Sequence, residues 1–331
     1  MQQIVLKHSL SAAPKASDFE MIETAIPACP DGGVIMKPAF ISLDPYVGSR
    51  LRGRHMGEPA PEPGTGIIPG AGVGEVVESR ADGIAPGDYV HSMETGWREF
   101  ADIGAGYFEK IDPESAPLSA FAGVLGMPGL TAWAGTTQLA KIRAGDIFLV
   151  NAAAGPVGGT AGQIAKSRGA KVIGIAGGPE KCAIVTDEYG FDACLDYKSD
   201  GWREQLQNHA PNGITVHFEN VGSDMLSWAI ANMQLYGRGV ICGLAAHYHA
   251  DAPPASIAIG PVVGKRAALM GLVVYDFYDH WSEFRSEIAP LVQSGDIRIR
   301  EDRVKGLDQA PALMEKLVTG KNIGKAIVEI S

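Results

Sequence analysis

Hydrophobic and polar positions change rhythm about a third of the way along the chain. Up to about residue 120 they alternate over short stretches, as in 33–43 and 74–79. Dense turn signals lie between them: Asp31-Gly32-Gly33, Asp82-Gly83 and Pro86-Gly87-Asp88. This pattern predicts a β-rich domain, with the Pro- and Gly-rich stretch 57–70 as a loop. Gly70-Ala71-Gly72-Val73-Gly74 looks like a phosphate loop, but a strand pattern follows it and not a helix. It reads as a turn entering a strand.

From Leu130 onward apolar runs alternate with helical patterns. Strands are predicted at 146–151, 171–176, 192–196, 214–219, 239–244 and 268–275. Helices are predicted at 157–168, 179–189, 201–209 and 223–234. Six strands with helices between most of them make an α/β doubly wound parallel sheet. A helix at 279–294 follows, then a strand at 297–300 and a helix near 308–319. A last strand at 325–330 is expected to return to the N-terminal domain. No repeat of solenoid length is present.

The stretch 146–166 carries the clearest chemistry. Ile147 to Val150 form a short apolar run suited to the centre of a parallel sheet. Ala153-Ala154-Gly155-Pro156-Val157-Gly158 is a dinucleotide fingerprint with alanine at its first glycine position. Gly155 lets the backbone approach a pyrophosphate, and Gly158 lets the next helix pack against the strand. N–H groups at that helix's start can hold phosphate oxygens. The second strand ends in Ala176-Gly177-Gly178, without the Asp or Glu that takes the ribose 2′-hydroxyl in NAD sites. That absence permits a 2′-phosphate, and Lys181 can supply positive charge. Glu180 beside it weakens the case, and a solvated lysine in a first helical turn is the competing reading.

Length and composition narrow the class. The 331 residues are enough for two domains, and a hydrophobic content of 46% is ordinary for a globular protein. No apolar run reaches the ~18 residues of a membrane span, and residues 1–8 lack a signal-peptide core. A cytoplasmic location is expected. The net charge of −10 argues against nucleic acid. Cys29, Cys182, Cys194 and Cys242 are far apart and form no C-x-x-C pair, so reduced, mostly buried thiols and no zinc are expected. Arg50, Arg52 and Arg54 alternate on one segment. They could draw in an acidic substrate, against the ordinary reading of a solvated basic loop. His247 and His249 read as parts of a polar loop, and His217 as a core or sheet-edge residue.

Several motifs together resemble the medium-chain dehydrogenase/reductase superfamily. They are Asp44-Pro45-Tyr46, Gly126-Met127-Pro128-Gly129-Leu130-Thr131-Ala132, the run from Val150 to Gly158, Phe218-Glu219-Asn220-Val221-Gly222, Ile241-Cys242-Gly243 and Asn322-Ile323-Gly324-Lys325. The match is closer to the zinc-free branch of NADPH-dependent alkenal/one, prostaglandin and curcumin reductases. It is collinear over nearly the whole chain. It implies a GroES-like catalytic domain from residues 1–125 and 295–331, a Rossmann domain from 126–294, and an active site in the cleft. It also implies a homodimer joined through edge strands. Here the candidate edge is 269–275, an apolar run that would be an aggregation liability if bare. One departure is that the family's Asp-Pro-Tyr running straight into Met-Arg is interrupted between Tyr46 and His55.

Zinc-dependent relatives hold their metal with cysteine and histidine in the N-terminal domain. The corresponding stretch 65–71 has no ligand type. Polarising a substrate carbonyl would then fall to hydrogen-bond donors. Tyr248, in the loop after the fifth strand, resembles the family tyrosine that points at the substrate oxygen. Tyr46 is the second candidate. The competing readings are a loop aromatic filling a gap for Tyr248 and a packed aromatic at a domain corner for Tyr46. To the turn Ala154, Gly155, Pro156, Val157 and Gly158, and to Gly177 and Lys181, the resemblance adds Met127, Thr131, Tyr197, Asn220, Cys242 and Asn322 as cofactor contacts. Tyr197 falls near the 2′-phosphate or adenine, and Asn322 at the nicotinamide end. The expected activity is zinc-independent, NADPH-dependent reduction of the C=C bond of an enone or enal, with hydride delivered to the β-carbon. Neither nucleic acid nor a membrane is an expected partner. A quinone reductase or zinc-free alcohol dehydrogenase of the same fold, and a non-catalytic NADPH-binding protein, are the alternatives.

Overall fold

Two large sheets, beside a two-stranded one formed by Gln2–Leu6 and Phe19–Glu23, organise the computed structural model, which describes residues 1–248 and 255–330. They belong to two compact units. One comprises Met1–Met127, Tyr248 and the C-terminal segment from Glu301. The other comprises Pro128–His247 and the later described residues as far as Arg300.

The second unit holds β1 (Ile147–Asn151), β2 (Lys171–Ala176), β3 (Ala193–Asp196), β4 (Ile214–Glu219), β5 (Met233–Ile241) and β6 (Ala268–Gly271). They lie in the order 3-2-1-4-5-6, and every neighbouring pair is parallel. This is the Rossmann order, whose direction of winding reverses between β1 and β4. The central strands are covered on both faces, so Phe148, Leu149, Val150, Val216 and Phe218 are all fully buried. The helix Pro156–Ser167 joins β1 to β2, and Ser223–Ala231 joins β4 to β5.

Several boundaries move from their predicted places. The helix predicted at 201–209 is reduced to Leu206–His209, and Gly201 stands in a left-handed conformation (φ +70°) where it was to begin. The helix predicted at 223–234 ends at Ala231, because β5 already starts at Met233 and not at residue 239. The sixth strand stops at Gly271. Residues Val274–His280 then form a 3-10 turn, in which the Tyr278 ring stacks on Trp281. The strand predicted at 297–300 is absent. Gln163 takes the place of a partner strand there: its Nε2 donates to Arg298 O (2.8 Å), and its Oε1 accepts from Arg298 N (2.7 Å). A strand forms only beyond it, at Glu301–Lys305, four residues later than predicted.

In the first unit, Lys325–Glu329 pairs parallel with Glu301–Lys305 and antiparallel with Val34–Ser42. The C-terminal strand thus returns to the N-terminal sheet, as its position predicts. Gly72–Ser79, Tyr89–Ser92 and Glu109–Ile111 extend that sheet. The glycines of 70–74 open a strand and no helix. Leu6, Ile41, Leu43, Trp97, Met314 and Val328 belong to one buried hydrophobic core. Asp44 leads into a short helix, Pro45–Arg50, whose first position is proline, which needs no N–H there. Among the described residues no helix is long and apolar enough to cross a membrane.

Candidate cofactor and substrate site

The turn after β1 is tight. Ala152 adopts a left-handed conformation (φ +49°), and Gly155 N donates to its carbonyl at 2.9 Å. A non-glycine residue in that conformation costs roughly 1–2 kcal/mol. The buried turn residue Ala153 is tied to β2 through Ile175 O at 3.1 Å. Gly155 caps the helix and Pro156 begins it. A Cβ on Gly158 would lie 2.6 Å from Ala152 O, so only glycine lets the helix start so close to the strand. Ala154 and Gly158 are buried, while Gly155, Pro156 and Val157 are half-buried. The opening turn of such a helix leaves N–H groups without intrahelical partners, and its dipole favours an anion. These are the features a dinucleotide pyrophosphate requires.

Beyond the tip of β2 the chain turns through Gly177 and Gly178. Gly178 stands at φ +96°, and a Cβ on Gly177 would come within 2.7 Å of the Tyr197 ring. Tyr197 follows β3 and is anchored by its backbone N to Ala176 O at 3.1 Å. Lys181 is half-buried in the helix Pro179–Ala183, beside exposed Glu180. Asp196, the last residue of β3, is not among the residues the sequence singles out. Its Oδ1 accepts from Gly178 N (2.7 Å) and Lys198 N (2.9 Å), so this carboxylate shapes the turn.

A second cluster missed from the sequence lies at the reversal point itself. Glu219, fully buried at the end of β4, accepts from Val221 N (2.6 Å), Gly222 N (2.8 Å) and Asn151 Nδ2. Its other oxygen faces His217 Nε2 at 2.8 Å. Burial pushes the Glu219 carboxyl up. Hydrogen bonds and charge from His217, with bonds from Asn151 and the Gly222 amide, outweigh this and hold it below the usual carboxylate range. His217 Nδ1 faces Leu149 O at 3.1 Å. Both ring nitrogens therefore meet acceptors, in the core of the sheet and not at its edge.

Asn151 also binds Asn220 twice, accepting from its N at 2.6 Å and receiving its Nδ2 on the backbone oxygen at 3.0 Å. This network fixes the loop after β4. Cys242 joins it through its backbone N to Glu219 O at 2.9 Å. His247 pairs with Ser223 Oγ at 2.9 Å. The readable signal was a polar residue closing each apolar strand, Asn151 and Glu219.

Thr131, in the same unit, is buried within the helix that begins at Met127. In the β-rich unit, the Tyr46 ring lies 5.0 Å from that of His55, and Asn322 Nδ2 donates to Gly324 O at 2.9 Å. Arg52 donates through Nε to Gly48 O (3.0 Å) and through Nη2 to the carbonyl of Tyr248, while Arg50 pairs with Glu58. Only Arg54 of the three arginines is exposed, which corrects the reading of a wholly solvated basic loop. His249 lies outside the described residues. Among the described residues, no three His, Cys, Asp or Glu side chains are grouped as metal ligands.

Sheet order and glycine turn define a Rossmann dinucleotide-binding unit joined in one chain to a β-rich unit. Comparison with known proteins makes the class specific. A family model described as zinc-binding dehydrogenase matches residues 156–293, and one described as the N-terminal domain of oxidoreductase matches residues 2–111. A 2-alkenal reductase (NADP(+)-dependent) of Nicotiana tabacum is 35% identical over 100% of this chain and 97% of its own. The NADPH-dependent curcumin reductase of Escherichia coli (strain K12) is 35% identical over 99% and 96%. The crystal structure of CurA from Vibrio vulnificus in complex with NADPH superposes with a TM-score of 0.90. It is 33% identical and covers 100% of this chain and 99% of that one. The chain belongs to the medium-chain dehydrogenase/reductase superfamily, in the branch of the alkenal/one, curcumin and prostaglandin reductases.

Proposed function

We propose that this protein is an NADPH-dependent ene-reductase that saturates the C=C bond of α,β-unsaturated ketones and aldehydes. The observation that carries the reading is the glycine turn at the reversal point of a 3-2-1-4-5-6 sheet, with Ala176 and no acid at the tip of β2. Full-length relatives named for reduction of alkenals, curcumin and pulegone support the substrate class.

Residues 154–158 would hold the pyrophosphate, with Gly177, Lys181 and Tyr197 at the 2′-phosphate and adenine. Met127, Thr131, Asn220, Cys242 and Asn322 would hold the rest. Bound there, NADPH supplies the hydride for the substrate's β-carbon. The chain's own contribution is position and electrostatics. Tyr248 is assigned to donate to the substrate oxygen as negative charge develops on it, with Tyr46 as the second donor. Asn151, Glu219 and His217 hold the β4 loop, so Asn220 is presented without reorganisation. The reading includes zinc-independent action by a cytoplasmic homodimer.

The test is steady-state NADPH oxidation with an enone, a quinone and a secondary alcohol offered separately, the alcohol with NADP⁺. The enone should give the highest kcat/KM, unaffected by a chelator. A quinone preference, or alcohol oxidation, would reassign the enzyme within the fold. Tight NADPH binding with turnover of none of the three would make it a binding protein.

A further inference from the structure

Twelve positions separate Cys182 from Cys194, yet their sulfur atoms stand 2.9 Å apart. Cys182 lies in the helix Pro179–Ala183 and Cys194 is the second residue of β3. Both thiols are free and half-buried. Bonds that involve neither sulfur fix the two elements: Gly178 N to Asp196 Oδ1 (2.7 Å), Tyr197 N to Ala176 O (3.1 Å) and Cys182 N to Gly178 O (3.1 Å). The thiols are therefore held together by the fold itself. A disulfide bond measures about 2.03–2.05 Å, so closing this one requires an approach of under about 1 Å. The other two cysteines differ. Buried Cys29 gives its S–H to backbone oxygens such as Gly33 O at 3.6 Å, and Cys242 sits at the end of β5.

We propose that Cys182 and Cys194 form a redox modification site, a dithiol that closes reversibly to an intramolecular disulfide beside the tip of β2. With a peroxide as oxidant, the Cys182 thiolate attacks one peroxide oxygen. This gives a sulfenic acid and, after protonation of the leaving oxygen, one water. The Cys194 sulfur then attacks the Cys182 sulfur, forming the S–S bond and releasing the second water. The two thiols lose two electrons and two protons, and the peroxide is reduced to two waters. A dithiol reductant reverses the step by exchange. Cys182 acts first because burial raises both thiols and raises Cys194 further, with the Asp196 carboxylate also opposing each thiolate. The same burial makes the reaction slow at neutral pH and faster in mild alkali. The disulfide would staple the helix that carries Lys181 to β3.

The experiment uses the full chain, reduced, freed of reductant and treated with hydrogen peroxide at neutral and mildly alkaline pH. Two of the four thiols should disappear, faster at the higher pH. Non-reducing peptide mapping should recover Cys182 linked to Cys194, lighter by two hydrogens, and dithiothreitol should restore both thiols. The thermal midpoint should rise on oxidation. In Cys194→Ser, no linked peptide should form, and Cys182 should stop at a sulfenic acid that dimedone traps. Persistence of both thiols in the folded protein, under peroxide that fully oxidises a small-molecule dithiol, would overturn the site. So would linkage chiefly through Cys29 or Cys242.

Discussion

Lys325 Nζ lies 2.7 Å from Asp44 Oδ1, and both side chains are buried. The contact spans 281 positions of sequence and joins two motifs that flank candidate site residues: Asp44 precedes Tyr46, and Lys325 follows Asn322. Lys325 also donates to Leu43 O at 2.6 Å, and Asp44 accepts from Ser42 Oγ. Burial pushes the lysine below its usual range, against the raising effect of the Asp44 charge and hydrogen bond.

Removing one partner of this pair leaves the other as an uncompensated buried charge. Lys325→Met should lower the stability of the β-rich unit by about 3–5 kcal/mol. Adding Asp44→Leu to that variant should recover much of the loss. Urea unfolding followed by intrinsic fluorescence measures both. A single variant as stable as wild type would show that the pair is not a structural tie.

Lys181→Ala should weaken NADPH binding with little effect on NADH. A charge-assisted bond of about 1.5–3 kcal/mol corresponds to roughly a 10- to 150-fold change in affinity. Fluorescence titration with each cofactor reads the ratio. Equal loss for both would place Lys181 away from the 2′-phosphate.

Tyr248→Phe should lower kcat for enone reduction while NADPH affinity stays nearly unchanged. Charge appears on the substrate oxygen only as hydride arrives, so a donor there favours the transition state over the ground state. Loss of one such donor costs up to roughly 10²- to 10³-fold. Water can replace part of it, so a smaller fall is expected. An unchanged kcat, with a deuteride isotope effect showing that hydride transfer limits the rate, would move the role to Tyr46.

Glu219 should make the Rossmann unit acid-sensitive. Its carboxyl is held below the unfolded value of about 4.3. The stability it contributes is therefore complete above that pH and is lost as pH falls through the folded value. Glu219→Gln should cost about 1.5–3 kcal/mol near neutrality, the worth of bonds to a charged group. It should also flatten the decline in acid. Parallel slopes of unfolding free energy against pH would contradict this.

Strand β6 lies at the edge of its sheet, and the preceding helix Ile259–Lys265 exposes Ile259 and Val263. An open apolar edge invites pairing with a second copy. Light scattering at micromolar concentration should give twice the chain mass, and a monomer would refute the homodimer.

The parts of this protein legible in the sequence are those set by local periodicity. The apolar runs at β1, β2 and β4 declare strands buried on both faces, and the glycines at 155 and 158 declare a close backbone approach. The return of 325–329 to the N-terminal sheet was readable as a strand pattern after the last helix. What only the tertiary structure decided are contacts between distant segments. Nothing local shows that Gln163 satisfies the backbone at Arg298, so residues 297–300 read as a strand. Likewise, nothing local brings Asn151, His217 and Glu219 together where the winding reverses, Cys182 to Cys194, or Lys325 to Asp44. Periodicity records which face of an element is buried. It does not record which partner meets a buried polar group, because that depends on the order in which strands are laid side by side.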